Sequence, residues 1–288
     1  MNLLQLFTNP VLGKEFRIRM RSGKTPWIIS LYLAALALVV FSIMYFKEKE
    51  AYSSTNYFEI FMCLSILQYG LIIFVTPGLT AGVISGERER QTLSLLLTTN
   101  LSPLQIIIGK WLSALSFILL LIFASLPLYS IVFLFGGIDP QQWLKIFGVY
   151  MITILAIGSV GVCVSTLVKR TGAASVTTYA IVFAYTALLF FINAMLYDII
   201  NIDLAEKMIP DDSFPPLNSH PLYSWLHALS CINPVNIVVM VFMNEKSIFG
   251  NGASQMSDPY WWFILYYGLI TIIMLALAVF FFRRVQIK

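Results

Sequence analysis

Charge is what this sequence has least of. Of 288 residues only 11% are Asp, Glu, Lys or Arg and two are histidine, while 59% are hydrophobic and the mean hydropathy is +0.83. A chain so composed cannot fold as a water-soluble globule of this length. Cysteine is as scarce. Three cysteines cannot all pair internally; Cys63 and Cys163 lie inside apolar runs and Cys231 in a late loop, which argues against a disulfide framework, and no metal-ligand spacing surrounds them. No Gly-x-x-x-x-Gly-Lys-Ser/Thr phosphate loop occurs, so nucleotide binding by that route is excluded. No Asp, Glu, Lys, Arg or His falls near the centre of a long apolar run; Glu59 and Lys145 sit only at run ends. Such a group costs about 2.5–3.5 kcal/mol on insertion scales and is the usual mark of an ion-driven carrier, so that class is disfavoured. His220 and His227, seven apart with no ligand motif between them, read with Asp211 and Asp212 as ordinary solvated loop residues.

What is present is long apolar runs. Six of them, at 27–46, 58–84, 103–135, 143–168, 173–196 and 260–282, have the length of membrane-crossing helices. The fold class is therefore all-α and polytopic, one domain over 1–288, and the first span is expected to be retained rather than cleaved as a signal. Proline at 77 and at 127 predicts kinks in the second and third spans. Ser102-Pro103-Leu104-Gln105 is a capping box with proline at the first helical position. Gly158, Gly161 and Ser165 permit close helix contact in the fourth span, and Ala180, Ala184 and Ala187 form a second small-residue stripe, read as helix packing. Gln68, Tyr69, Thr76, Thr177, Thr178, Tyr179, Tyr185 and Asn193 are the polar side chains within spans; hydrogen bonding between helices or to their own backbone accounts for them, and no substrate site is assigned.

Between the fifth and sixth spans, 197–259 turns polar and is read as an outer loop. Within it Pro221 to Met243 competes as a seventh span, but carries His227, Asn233-Pro234 and Asn236, groups expensive in lipid. Charge decides against it. With six spans, only Lys47, Lys49, Lys145, Lys207 and Lys246 of the 18 Lys and Arg fall on one side, and the rest share the other. The positive-inside rule then places both termini in the cytoplasm and makes 221–243 helices that dip into the outer leaflet. The same rule accounts for the net charge of +4 without nucleic acid.

The densest charge between spans is Ser85-Gly86-Glu87-Arg88-Glu89-Arg90-Gln91-Thr92-Leu93 in the loop 85–102. Glu87 and Glu89 are expected to open a short helix, facing the positive end of its dipole, with Glu87 paired to Arg90 and with Leu93, Leu96 and Leu97 on one face. Near the N-terminus, Asn9-Pro10 starts a helix that Ser22-Gly23 stops; Leu12, Phe16 and Met20 share one face and Lys14, Arg17 and Arg21 the other. That is an interfacial helix within 1–26, with its apolar side in membrane lipid and its basic side toward anionic headgroups or a cytosolic partner, and it reads equally as a plain anchor.

Gly86-Glu87-Arg88-Glu89, Thr92-Leu93, Leu95-Leu96-Leu97, Leu101-Ser102-Pro103 and Gly109-Lys110 together resemble the cytoplasmic loop after the second span of ABC-2-type permeases, the membrane subunits of certain ATP-driven transporters. Asn9-Pro10-Val11-Leu12, Lys14-Glu15 and Arg21-Ser22 resemble that family's N-terminal elbow, and Cys231-Ile232-Asn233-Pro234 its segment before the last span. The sequence departs from the family where glycine is frequent, at Gln91, and where proline is frequent, at Asn100. The resemblance implies a coupling helix between spans two and three, seated on a cytosolic ABC ATPase subunit. Its contacts would be Glu87, Arg88, Glu89, Arg90, Thr92, Leu93 and Leu96, with Lys14, Glu15, Arg17 and Arg21 as secondary ones. It further implies a second permease subunit, identical or related, export of an unidentified substrate, ATP and Mg bound on the partner rather than on this chain, and residence in a bacterial inner or plasma membrane. Two rivals remain open: a scaffold or sensor that binds the ATPase but moves nothing, and, less favoured because no nucleophile, base or metal constellation appears at either interface, a membrane enzyme.

Overall fold

The computed structural model describes residues 23–49, 57–94, 102–134, 139–206, 217–242 and 259–286. Its helices are α1 Lys24–Lys49, α2 Tyr57–Thr80, α3 Ser85–Glu89, α4 Pro103–Leu134, α5 Pro140–Leu167, α6 Thr171–Glu206, α7 Tyr223–Ile232, α8 Pro234–Phe242 and α9 Pro259–Gln286, with a short 3₁₀ turn at Leu217–Ser219 before α7. Six are long and apolar enough to cross a membrane: α1, the run from α2 into α3, α4, α5, α6 and α9. The protein is an all-α polytopic membrane protein. Of the elbow segment expected over 1–26, residues 1–22 lie outside the described residues, and α1 already begins within it, at Lys24.

Local signals explain the starts of α4 and α5. Ser102 N–H donates to Gln105 Oε1 at 2.9 Å and Gln105 N–H to Ser102 Oγ at 3.3 Å, the reciprocal capping box, with Pro103 opening α4. Asp139 caps α5 by accepting Gln141 N–H at 3.0 Å ahead of Pro140, which begins that helix three residues before Trp143.

α5 is the central helix, with 67% of its most apolar stretch buried against 11% in α1 and in α6. Small residues let it sit there. A methyl group on Gly161 would meet the Thr80 side chain, its Cβ at 2.9 Å and its hydroxyl closer still, and the Ala81 backbone nitrogen at 3.3 Å; one on Gly158 would meet Leu115 Cδ2 at 2.6 Å. The α5 backbone therefore lies directly against the end of α2 and against α4. The alanine stripe on α6 behaves otherwise. Ala180, Ala184 and Ala187 are exposed among the described residues, on a helix with only 11% of its most apolar stretch buried.

Between α2, α4 and α5 runs a buried polar seam. Tyr69 and Thr153 hydroxyls are 3.1 Å apart, Tyr150 donates to Ser65 O at 2.8 Å, and Ser125 donates to Gln68 Oε1 at 3.0 Å. Elsewhere Tyr179 donates to Phe74 O at 2.9 Å, Ser230 to Asn193 Oδ1 at 2.6 Å, and Tyr185 to Tyr266 at 3.3 Å. Thr76, Thr177 and Thr178 bond the carbonyls four residues back. Every intramembrane polar residue singled out in the sequence thus has a structural partner.

At the end remote from α3 the structure corrects three expectations. Residues 197–206 are helix rather than loop: α6 continues through them, with Ile200 and Leu204, one turn apart, buried against Tyr223, Leu226 and Met240. Its 36 residues make a rod of about 54 Å, well beyond the roughly 30 Å hydrocarbon core. Cys231 lies in α7, not a loop, and is buried beside His227, which is itself only 4% exposed. His220 is not simply solvated either: its Nε2 lies 3.0 Å from Asp203 Oδ2, and its Nδ1 accepts Leu222 N–H at 3.1 Å. Asp211 and Asp212 lie outside the described residues. α7 and α8 meet at Asn233 with a bend of 98°. So bent, ten plus nine residues reach only about 19 Å end to end, short of a crossing.

Candidate functional site

α2 alone is 24 residues, about 36 Å of helix and enough for the hydrocarbon core, so the turns that follow it project beyond the crossing. The backbone loosens over 81–84 and then winds one more helical turn, α3. The loosened turn is held from the side. Ser165 Oγ on α5 accepts Ile84 N–H at 2.9 Å and Ser85 N–H at 3.0 Å, taking up donors that the broken ladder would otherwise leave unpaired in a buried place.

The sequence places Glu87 and Glu89 at a helix start; in the five-residue α3 Glu87 does lie in the first turn, while Glu89 is the last residue. α3 closes at 90–92 in a Schellman arrangement: Thr92 N–H donates to Glu87 O at 3.0 Å, Gln91 N–H to Arg88 O at 3.2 Å, and Gln91 stands at φ 57°. That left-handed position favours glycine, which gives a physical reason for the glycine frequent in the resembled loop. The continuous helix expected through Leu93 is therefore broken at Gln91.

Glu89, as the last residue of α3, opposes its dipole, and both carboxylates are balanced by a group from another helix. Glu87 does not take Arg90 as its close partner. Its Oε1 receives the Lys110 ammonium from α4 at 2.8 Å and its Oε2 the Thr92 hydroxyl, with Arg90 attracting it only from further off. Partial burial pushes the Glu87 carboxyl up, but the bonds from Lys110 and Thr92 outweigh it and hold the group below the usual 4.5. Glu89 accepts Thr171 N–H at 2.9 Å and the Thr171 hydroxyl, which lowers its carboxyl too. The favourable dipole anticipated for Glu89 is real but belongs to α6, whose first residue is Thr171. Arg88 does the converse at the end of α5, donating to Thr166 O at 3.3 Å and Val168 O at 3.5 Å, carbonyls that the helix leaves orphaned.

Three consecutive charges thus tie α3 to three successive spans. Arg90, Gln91, Thr92 and Ser94 are exposed, while Leu93 is buried at 8% exposure. Leu96, Lys14, Glu15, Arg17 and Arg21 lie outside the described residues. Lys110, Ser165 and Thr171 are the residues that sequence reasoning assigned no role here; they stand 23, 80 and 82 positions from their partners, so no local spacing announces them. Beside α3 opens a cavity of about 530 Å3 whose walls include Gly78, Gly82 and Gly86 on one side and Glu87, Lys110 and Thr171 on the other.

The model of a family described as "ABC-2 family transporter protein" matches residues 10–287. No curated protein matches the chain.

Proposed function

The chain belongs to the ABC-2 transporter family, whose members are membrane components of transporters and not themselves catalytic, and from that premise we propose that it is a permease subunit driven by ATP hydrolysis on a separate cytosolic ABC ATPase. ATP and Mg sit on that partner. Two permease subunits, identical or related, enclose the path, and the cargo leaves the cytoplasm. The segment 85–94 faces the cytosol and is where the ATPase seats, with the elbow residues Lys14, Glu15, Arg17 and Arg21 as a secondary contact.

The observation that carries this reading is the charged turn α3, set beyond the crossing on the end of the protein that also holds Lys169, Arg170, Arg283 and Arg284. Within it the roles divide by exposure. Arg90 and Ser94 are exposed to a partner's surface, Thr92 is exposed with its hydroxyl held by Glu87, and Leu93 packs inward. Glu87, Arg88 and Glu89 contact the ATPase only through whatever part of each side chain its internal bond leaves open.

A photo-crosslinking residue placed at Arg90 or Ser94 in the full-length protein should capture an ABC-class ATPase from the membrane fraction, and the same residue at Gln141, exposed at the opposite end, should not. Capture at Gln141 alone, or labelling of Arg90 by an impermeant reagent from outside intact cells, would overturn the assignment. Capture at Arg90 with no cargo flux in any ATP-driven assay would instead favour a scaffold or sensor.

A further inference from the structure

We propose that α3 is a force divider, with Lys110, Ser165 and Thr171 as the positioning residues through which one push on the loop is split among α4, α5 and α6. The inference rests on the reading of 85–94 as the ATPase seat and goes beyond it, because it says what happens to the displacement once delivered.

The geometry behind it is a set of separate latches rather than a general packing contact. The Lys110 side chain is 4% exposed and bonded at 2.8 Å to a Glu87 carboxylate that is 29% exposed, a charge-assisted bond that joins α4 directly to α3. α5 is gripped twice, by the Ser165 hydroxyl accepting two α3-side amides and by Arg88 on its terminal carbonyls. α6 is gripped at its first residue by Glu89 through two hydrogen bonds. The three latches use different atoms of α3 and end on three different helices, so each can be cut without cutting the others.

Around these latches the first turn of α6 packs directly on the loosened turn after α2 and on α3: methyl groups on Gly82 and Gly86 would sit 3.7 and 3.4 Å from Thr171 Cγ2, beside the cavity that Lys110 and Thr171 also border.

The test is hydrogen exchange on the full-length protein, co-purified with its ATPase in lipid nanodiscs and compared with and without trapping by ATP and vanadate. In the natural protein, trapping should change exchange in α3, in the first turns of α4 and α6, and in the last turn of α5. Lys110→Met should abolish the α4 response while the α5 and α6 responses and ATPase co-purification persist; Glu87→Lys combined with Lys110→Glu should restore it. Lys110→Gln, a milder change, serves if the methionine variant fails to insert. Equal loss of all three responses in the Lys110 variants would mean general loosening and would overturn the divider, as would an unaffected α4 response. Failure of the natural protein to co-purify with any ATPase would remove the proposed function itself, and the divider with it.

Discussion

Replacing Gln91 by glycine should tighten the loop. Gln91 is exposed and stands at φ 57°, where a side chain costs about 1–2 kcal/mol relative to glycine through the clash of Cβ with the following carbonyl. Glycine returns part of that gain, about 0.4–1 kcal/mol, because the opened chain becomes more flexible. The net expectation is close to 1 kcal/mol in favour of the closed turn, roughly a fivefold fall in the opened population. The amide that reports it is Thr92 N–H, bonded to Glu87 O at 3.0 Å, so hydrogen exchange at residue 92 should slow by about that factor while α1 and α9 are unchanged. Gln91→Val should do the reverse, since a β-branched residue tolerates this conformation worst. Unchanged or faster exchange at 92 in the glycine variant would refute the claim that the left-handed backbone at 91 limits this turn.

Four further outcomes follow from the packing and the charges. Gly161→Ala should lower the thermal unfolding temperature in detergent by the equivalent of about 1–3 kcal/mol, the range for overpacking, because its methyl meets Thr80 and the Ala81 backbone. Ser165→Ala should cost about 1–3 kcal/mol by leaving two buried amides without an acceptor, and fast exchange at residues 84 and 85 would mark the site of the loss. Tyr150→Phe should cost about 1 kcal/mol through the lost bond to Ser65 O, visible as a lower unfolding temperature with the helical circular dichroism unchanged. Because the Glu87 carboxyl is held below 4.5 in the folded protein, its contribution is complete above that value, declines as pH falls toward the lowered folded value, and is absent below it. The stability gap between the natural protein and Glu87→Gln should therefore persist at neutral pH and close in strong acid; a gap that widens on acidification would contradict the assignment.

How much of this was legible in the residues depends on the range over which each signal acts. The capping box at Ser102 and Gln105 and the caps at Asp139-Pro140 are written within four residues and are read directly. The apolar runs, long against the bilayer, announce six crossing helices. Gly158, Gly161 and Ser165 announce close contact, though not which helix each one meets. The C-terminal end of α6 is not legible as helix, because Asp198, Asp203 and Glu206 make 197–206 look like loop, while Ile200 and Leu204 bury themselves against α7 and α8, segments distant in sequence. In the charged loop the local rule holds for Glu87, in the first turn of α3, and fails for Glu89, which ends it; the groups that neutralise both arrive from α4 and α6. The family is readable because residue order and spacing carry the resemblance; the loop's internal bonding is not, since Glu87–Lys110 and Glu89–Thr171 are tertiary facts.

α6 is an unbroken rod about 54 Å long, seized by Glu89 at one tip and embedded at the other among Tyr223, Leu226 and Met240, with the Asp203–His220 contact alongside. A stiff beam rocking about a fulcrum inside the bilayer moves its two tips in opposite senses. Traction on Thr171 at one water boundary would then swing the α7–α8 hairpin at the far boundary with no relay of side chains between them, and that lip of the molecule would answer an event on the opposite face as promptly as the rod can tilt.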